Sequence, residues 1–198
     1  RIGLGPTPML YFASHYYKSD GAIQVTGSHN PKNYNGFKIV LNQNSFFGDD
    51  IKKLGELAKE GHSEIFKGSS KNVYIIDKYI EKIIQPIKKS ISKNLVNKTI
   101  VWDCGNGASG PSVEMIAKKI PGNHIILYSE VDGNFPNHHP DPTDESTLKI
   151  LSNKMKEVDA DIGIGFDGDG DRIGVIDKKG RPVAGDLLTA FLSNSLEF

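Results

Sequence analysis

Three carboxylates stand at every second position of one short loop, with only glycine between them. They belong to Asp167, Asp169 and Asp171, and Arg172 follows directly. Because glycine lets the backbone turn tightly, the three carboxylates can converge on one point. Hard oxygen donors at one point suit Mg²⁺, which binds a few carboxylates and completes its octahedron with water or phosphate oxygen. We expect the planar guanidinium of Arg172 to lie against a phosphate bound there.

Three other kinds of site could contain such a loop. A calcium-binding EF-hand that starts at Asp167 needs glycine at the sixth position and glutamate at the twelfth, where the sequence has Arg172 and Lys178. A phosphatase whose strand-end aspartate is itself phosphorylated fits the apolar residues before Asp167, but not the glycine spacers or the third aspartate. A solvated acidic turn is the plainest alternative, and Coulomb repulsion among three carboxylates counts against it.

A second loop, residues 26–31 (TGSHNP), places Ser28 directly after a predicted strand. Serine, asparagine and proline form ordinary turns, and a serine beside a histidine is not by itself a catalytic pair. The acidic loop changes this interpretation. A serine, a carboxylate cluster suited to Mg²⁺ and an arginine are together the parts of a phosphoryl-transfer site.

The apolar pattern predicts an α/β fold with mixed, mostly parallel sheets covered by helices. Buried strands are predicted at residues 21–26 and 36–41, and further strands at 99–104, 125–128, 161–166 and 172–177. Between the later strands lie segments with helical period, and a polar stretch at 61–72 is the predicted domain boundary.

Helix signals are clear at several points of the sequence. Thr7 is the predicted N-cap of the first helix, and Thr143 that of a later one. A helix from residue 49 is expected to turn Ile51, Leu54 and Ala58 inward. Isoleucines from residue 80 to residue 91 predict another helix, bent or interrupted at Pro86.

Composition excludes several classes of protein. The 198 residues carry 24 basic and 24 acidic side chains and no net charge, so we expect no nucleic-acid partner. The sequence has no apolar run long enough for a membrane span, and its single cysteine favours the cytoplasm. The sequence starts at Arg1 and stops in an apolar stretch, which predicts a fragment of a longer protein.

Five segments together resemble one family. They are TGSHNP (26–31), YNGFK (34–38), CGNGASG (104–110), GNFPNHHPDP (133–142) and FDGDGDRIGV (166–175). In this order they resemble the α-D-phosphohexomutase superfamily, in particular its bacterial phosphomannomutase/phosphoglucomutase branch. The resemblance implies a piece of a four-domain enzyme: residues 1–73 from the later part of the first domain, 74–180 the second domain, and 181–198 the opening of the third.

The resemblance also implies an activity, an intramolecular phosphotransferase that interconverts hexose 1-phosphate and hexose 6-phosphate. Ser28 would be the phosphoserine, and the mannose or glucose phosphate would pass through a bisphosphate that turns around in the site. Asp167, Asp169, Asp171 and a phosphoserine oxygen would hold Mg²⁺. Lys38 would be the general acid/base. The predicted catalytic set is Ser28, Lys38 and His29, and the predicted phosphate-binding set is Arg172, His29 and Lys38.

Two other functions stay open on the sequence. GNGASG (105–110) fits the dinucleotide fingerprint G-x-G-x-x-G, with Glu130 twenty residues after Gly110, and this would indicate an NAD-binding oxidoreductase domain. An inactive fragment that binds Mg²⁺ or phosphate is the other. His138 and His139 lack a third ligand at metal spacing, so the proline-rich loop around them is expected to be structural.

Overall fold

The computed structural model describes residues 1–61, 67–90 and 95–194. Its elements in chain order are α1 (Thr7–Tyr17), β1 (Gly21–Val25), β2 (Phe37–Leu41), β3 (Asn44–Phe46), α2 (Asp49–Glu60), α3 (Ile76–Ser90), β4 (Thr99–Asp103), α4 (Gly110–Ala117), β5 (Asn123–Leu127), α5 (Glu145–Glu157), β6 (Ile162–Phe166), β7 (Ile173–Ile176), β8 (Pro182–Val183) and α6 (Gly185–Ser193). None of the helices in these ranges has the length and apolar character that crossing a membrane requires.

The first sheet is a three-stranded antiparallel meander, β1-β2-β3. Val25 pairs with Phe37, so the segment from residue 26 to residue 36 leaves and re-enters the sheet at one end. The short strand β3 is not among the predicted elements. Its turn consists of Asn42 and Gln43, both in the left-handed region (φ 49° and 64°), without the glycine that usually marks such a turn.

The second sheet has five strands in the order β5-β4-β6-β7-β8. Strands β5, β4 and β6 are parallel, and β7 and β8 are added antiparallel. The predicted mixed α/β fold is confirmed. The sheets are not mostly parallel as predicted, because parallel pairing is confined to these three strands among those described. Because β4 and β6 run in the same direction, the loops after both strands lie at one edge of the sheet.

The second sheet is covered on both faces. Ile100 and Trp102 of β4 point to a cluster that includes residues from α1, α3 and α4. Val101 points to the opposite cluster, which is filled by Leu151 and Met155 of α5. This alternation places the central strand in the middle of two hydrophobic layers.

Burial in the first 61 residues differs from the prediction. The strand at 21–25 is present, but Ile23 and Val25 are 60% and 61% exposed, so the expectation of a buried strand is wrong. The helix at 49–60 is also present, but no residue of α2 is buried. Ile51, Leu54 and Ala58 are exposed rather than turned inward.

Three helix details also need correction. Thr7 is a buried residue of α1 itself, and Pro6 precedes the helix in extended conformation. Asp144, not Thr143, caps α5, because its carboxylate accepts a hydrogen bond from Ser146 N. Helix α3 continues through Pro86, so of the predicted bend or interruption the interruption does not occur. The predicted continuation of that helical pattern to residue 91 lies outside the described residues.

Candidate active site

The acidic loop follows β6 at the carboxyl edge of the second sheet. One carboxylate oxygen from each of Asp167, Asp169 and Asp171 lies within 4.8 Å of the others. Asp167 and Asp169 are buried, and Asp171 is exposed. The turn is closed by a hydrogen bond from Gly170 N to Asp167 O, with Gly170 in the left-handed region (φ 68°). The convergence predicted from the glycine spacing is thus present.

Asp167 has hydrogen bonds at both of its carboxylate oxygens. Oδ1 accepts from the backbone N–H groups of Asp171 and Arg172, each at 3.0 Å. Oδ2 accepts from Arg172 Nε and Nη2 at 3.2 and 3.1 Å. Burial is the main influence on this carboxyl group and raises its pKa, although the hydrogen bond from the Arg172 backbone acts in the opposite direction.

Ser28 reaches the acidic loop from the other sheet. Its Oγ donates a hydrogen bond to Asp167 Oδ2 at 2.9 Å, across 139 residues of sequence. The residue has φ 51°, and its backbone N–H donates to Thr26 Oγ1 at 2.8 Å, which holds the turn. A serine rarely adopts this left-handed conformation, so the loop directs its hydroxyl at some conformational cost.

Gly168 allows this close approach of the two loops. A Cβ atom at this position would lie 2.2 Å from the carbonyl oxygen of Ser28 and 3.5 Å from the ring of Phe135. No side chain fits at the first of these distances. The glycine therefore does more than permit a turn, because it lets the backbone of one loop lie directly on the other.

Lys38, on β2, neutralises part of the acidic cluster. Its Nζ donates to Asp169 Oδ2 at 2.6 Å and to Asp171 Oδ2 at 2.5 Å. Burial lowers the pKa of this ammonium, but the two carboxylates outweigh it and raise the pKa above its ordinary value. The ammonium group of Lys38 is therefore held in its protonated, positively charged form in this arrangement.

Asp169 is held from two further directions. Thr7 Oγ1 donates to Asp169 Oδ2 at 2.5 Å, and Thr7 N donates to Asp169 O at 2.8 Å. Burial raises the pKa of Asp169, whereas the hydrogen bonds from Lys38 and Thr7 lower it to about 2, so the group is ionised. Among the described residues, Asp169 Oδ1 is buried without a hydrogen-bond partner.

His29 and Arg172 complete the set of predicted residues. His29 Nδ1 lies 3.5 Å from Ser28 Oγ, at the outer limit of a hydrogen bond. Arg172 lies 3.8 Å from Asp141 as well as bonding Asp167, so both of its described partners are carboxylates. All seven predicted residues therefore lie together. Thr7 and Asp141 were not predicted as site residues.

A cleft of about 600 Å³ opens beside this cluster. Its lining includes residues from both sheets' loops: Thr26, Ser28, Asn106, Phe135, Gly168 and Asp169. The cluster thus borders a space large enough for a small-molecule ligand. The cleft has Ser28 and Asp169 in its wall, so a ligand there would meet the serine and the acidic loop together.

The glycine-rich turn at 105–110 does not present free amides to a dinucleotide. Five of its six N–H groups donate to protein acceptors, including Gly105 N to Asp103 Oδ1 and Ala108 N to Gly168 O. A phosphate bound in the dinucleotide manner needs such amides unoccupied. Glu130 contributes its backbone carbonyl to Asn106 Nδ2. The turn supports the acidic loop, and its geometry disfavours the NAD-binding alternative.

Family models match most of the chain. The model for phosphoglucomutase/phosphomannomutase, alpha/beta/alpha domain I, matches residues 1–64. The model for domain II of the same family matches residues 77–180, which is more than half of the sequence. The chain belongs to the phosphoglucomutase/phosphomannomutase family. The resemblance stated from the five motifs is confirmed.

Individual members of this family show the same similarity. A phosphomannomutase/phosphoglucomutase of Pseudomonas syringae pv. tomato is 43% identical over 187 residues, which cover 94% of this chain and 39% of that protein. A phosphoglucomutase of Neisseria gonorrhoeae is 39% identical over 187 residues, which cover 93% of this chain and 40% of that protein. A crystal structure of a phosphoglucomutase/phosphomannomutase family protein from Burkholderia thailandensis superposes with a TM-score of 0.83 at 36% identity, over 98% of this chain and 44% of that one. The chain thus spans about two fifths of the length of these relatives.

Proposed function

We propose that this chain carries the phosphoserine and metal-binding parts of a phosphohexomutase that interconverts hexose 1-phosphate and hexose 6-phosphate. In this proposal residues 1–73 supply the phosphoserine loop, residues 74–180 supply the acidic loop, and residues 181–198 begin a third domain. Ser28 is the group that carries the phosphoryl unit. The cytoplasmic location stays a prediction.

One observation supports the proposal above all others. Ser28 Oγ and the three carboxylates come from different sheets, yet Ser28 donates to Asp167 at 2.9 Å. An ordinary turn does not require its serine to point into a buried acidic cluster. A serine that carries a phosphoryl group beside these carboxylates does require a divalent cation nearby, since the cation offsets the negative charge of the phosphoryl group and of the carboxylates.

The residues present fit a bound Mg²⁺. Three carboxylates converge within 4.8 Å, and the buried Asp169 Oδ1 is without a partner in the described ranges. Oxygen ligands of this kind are what Mg²⁺ selects. Asp167, Asp169, Asp171 and a phosphoserine oxygen would hold the ion, which would neutralise charge on the transferring phosphoryl group.

The transfer itself is a balanced exchange at phosphorus. The bond from phosphorus to Ser28 Oγ breaks while a bond to a sugar hydroxyl oxygen forms, and the hydroxyl proton ends on Ser28 Oγ. We assign Lys38 to carry that proton, as the resemblance implies, and its cationic state suits the donation step. The bisphosphate then reverses in the site and returns its other phosphoryl group to Ser28.

The substrates we propose are mannose and glucose phosphates, by way of the bisphosphate. His29 lies beside Ser28, and Arg172 bonds the same oxygen of Asp167 as Ser28 does, so both are suited to contact phosphate oxygens. Once Ser28 carries a phosphoryl group, its negative charge would compete with Asp167 for the Arg172 guanidinium. The same arginine would thereby bond Asp167 while Ser28 is unmodified and a phosphate oxygen once Ser28 is phosphorylated.

Mass spectrometry tests the covalent step. Incubating the purified chain with Mg²⁺ and glucose 1,6-bisphosphate should add one phosphoryl group at Ser28. The Ser28→Ala variant should gain none, and the matched variant Ser45→Ala, at an exposed serine of β3, should behave as the unaltered chain. A phosphoryl group on a different residue would contradict the proposal.

Turnover of glucose 1-phosphate and mannose 1-phosphate by the chain alone separates an active unit from a fragment that only binds Mg²⁺ or phosphate.

A further inference from the structure

Thr7 holds Asp169 by two hydrogen bonds. Its hydroxyl donates to the carboxylate at 2.5 Å, and its backbone N–H donates to the carbonyl oxygen of the same aspartate at 2.8 Å. Thr7 is fully buried (0% exposed) at the first turn of α1, and 162 residues separate it from Asp169. One residue therefore fixes both the backbone and the side chain of a member of the acidic cluster.

The two oxygens of Asp169 have unequal surroundings. Oδ2 accepts from both Thr7 and Lys38, whereas Oδ1 is buried and has no described partner. An unpaired buried carboxylate oxygen costs free energy unless something completes it. The hydroxyl of Thr7 selects which oxygen stays open, because it occupies Oδ2 from inside the protein.

We propose that Thr7 is a positioning residue for the divalent cation, and that it orients Asp169 so that Oδ1 faces the ion. This inference rests on the metal site proposed above. Lys38 does not serve the same purpose, because its side chain is 28% exposed and it bonds Asp171 as well as Asp169. Thr7 contacts neither the ion nor the substrate and acts only through the carboxylate.

Partners of metal ligands of this kind affect metal affinity by about 10- to 100-fold when they are removed. Thr7→Val keeps the shape of the side chain and removes only the hydroxyl. We expect this variant to bind Mg²⁺ and Mn²⁺ at least about tenfold more weakly. Thr7→Ser restores the hydroxyl and should return the affinity to within about threefold of that of the unaltered chain.

Calorimetric titration of the purified chain with Mg²⁺ alone, and with Mn²⁺ alone, measures these affinities. The matched control is Ser14→Ala, which removes another buried hydroxyl from the same helix, one that receives a hydrogen bond from Ser19. Loss of affinity in Thr7→Val but not in Ser14→Ala or Thr7→Ser supports the proposal. Equal affinities in Thr7→Val and the unaltered chain overturn it, as does an equal loss in Ser14→Ala.

A measurement on the unaltered chain covers the case in which Thr7→Val does not fold. The amide resonance of Thr7 should shift when Mg²⁺ is added, because that N–H donates to Asp169, and the amide of Ser14 should not. An unmoved Thr7 resonance at saturating Mg²⁺ overturns the inference.

If the unaltered chain binds neither ion, the metal assignment itself fails. Binding without any effect of Thr7→Val instead leaves that assignment intact and refutes only the role of Thr7.

Discussion

The sheet that leads to Ser28 and the sheet that leads to the three aspartates are buried to different degrees. In β1, Val25 is 61% exposed, and α2 has no buried residue. In β4, Val101 is 0% exposed and lies between two hydrophobic clusters. The serine is thus carried by the less buried part of the described chain, and the metal ligands by the better buried part.

The contacts between these two parts are therefore central to the site. They include Ser28 with Asp167, Lys38 with Asp169 and Asp171, and Lys32 Nζ with Asn134 Oδ1 at 3.2 Å. Most of these bonds use the carboxylates that we assign to the metal. We infer that the acidic loop both prepares the metal site and holds the serine loop in place.

Lys38→Met should produce the largest effect on activity. If Lys38 carries the proton, phosphoryl transfer to Ser28 should slow by about 10²- to 10⁴-fold. Mg²⁺ should bind more tightly, because the ammonium that neutralises Asp169 and Asp171 is gone. Rates of Ser28 phosphorylation and Mg²⁺ titrations measure the two effects, and Lys52→Met, at an exposed lysine of α2, is the control. A parallel loss of metal affinity would show that Lys38 supports the cluster rather than competing for it.

Gly168→Ala should separate the two loops. A Cβ atom there would lie 2.2 Å from Ser28 O, so one backbone must shift. Displacements of about 1 Å in a reacting group can cost about 10²-fold in rate, and we expect a loss of that order in Ser28 phosphorylation. The control is Gly55→Ala, on the exposed helix α2, since a Cβ on Gly55 would have no atom of another segment within 4 Å. Phosphorylation of Gly168→Ala at the unaltered rate would contradict this account.

The sequence predicts the members of this site better than it predicts their arrangement. The glycine spacing identifies Asp167, Asp169 and Asp171, because this pattern lies within one short segment of the sequence. The contact of Thr7 with Asp169 spans 162 residues, and no local pattern indicates it. Thr7 before Pro8 has the pattern of a helix N-cap, and that prediction is wrong. The hydroxyl of Thr7 instead donates to Asp169, a contact that only the tertiary structure creates.

Burial was mispredicted for the same reason. The spacing of apolar residues correctly predicts a strand at Ile23 and Val25 and a helix at Ile51 and Leu54. This spacing identifies which side chains share a face, but it does not show whether another element covers that face. In β4 the covering helices are described, and there the apolar residues are buried as expected.

His138 offers a pH-dependent test within the better buried part. Its Nε2 lies 2.9 Å from Asp103 Oδ2, with side chains 10% and 4% exposed. Burial lowers the pKa of His138, but the hydrogen bond to Asp103, the charge of Asp103 and the hydrogen bond to the His139 carbonyl together outweigh it and raise the pKa above 6.5. The protonated form is favoured in the folded state, so its stabilisation is fully present below about pH 6.5 and is lost as the pH rises through the folded pKa.

The variant His138→Gln should lose about 1–3 kcal/mol of unfolding free energy at low pH, because Asp103 is left buried without its charged partner. The difference between the unaltered chain and the variant should shrink as the pH rises. Denaturant unfolding at several pH values measures it. His15→Gln is the control, since the side chain of His15 is exposed and forms its hydrogen bond with the exposed Gln43. A difference that grows with pH would mean that His138 is neutral in the fold.

Making one substitution in both sheets contrasts a larger effect at Val101 with the smallest expected effect, at Val25. Val101→Thr places a hydroxyl between Leu151 and its neighbours and should cost about 1–3 kcal/mol. Val25→Thr places the same hydroxyl on an exposed strand face and should change stability by less than about 0.5 kcal/mol. Because valine and threonine are both β-branched, strand propensity largely cancels between the two sites. Denaturant unfolding of both variants measures the contrast, and equal losses would show that the face of β1 is as protected from water as that of β4.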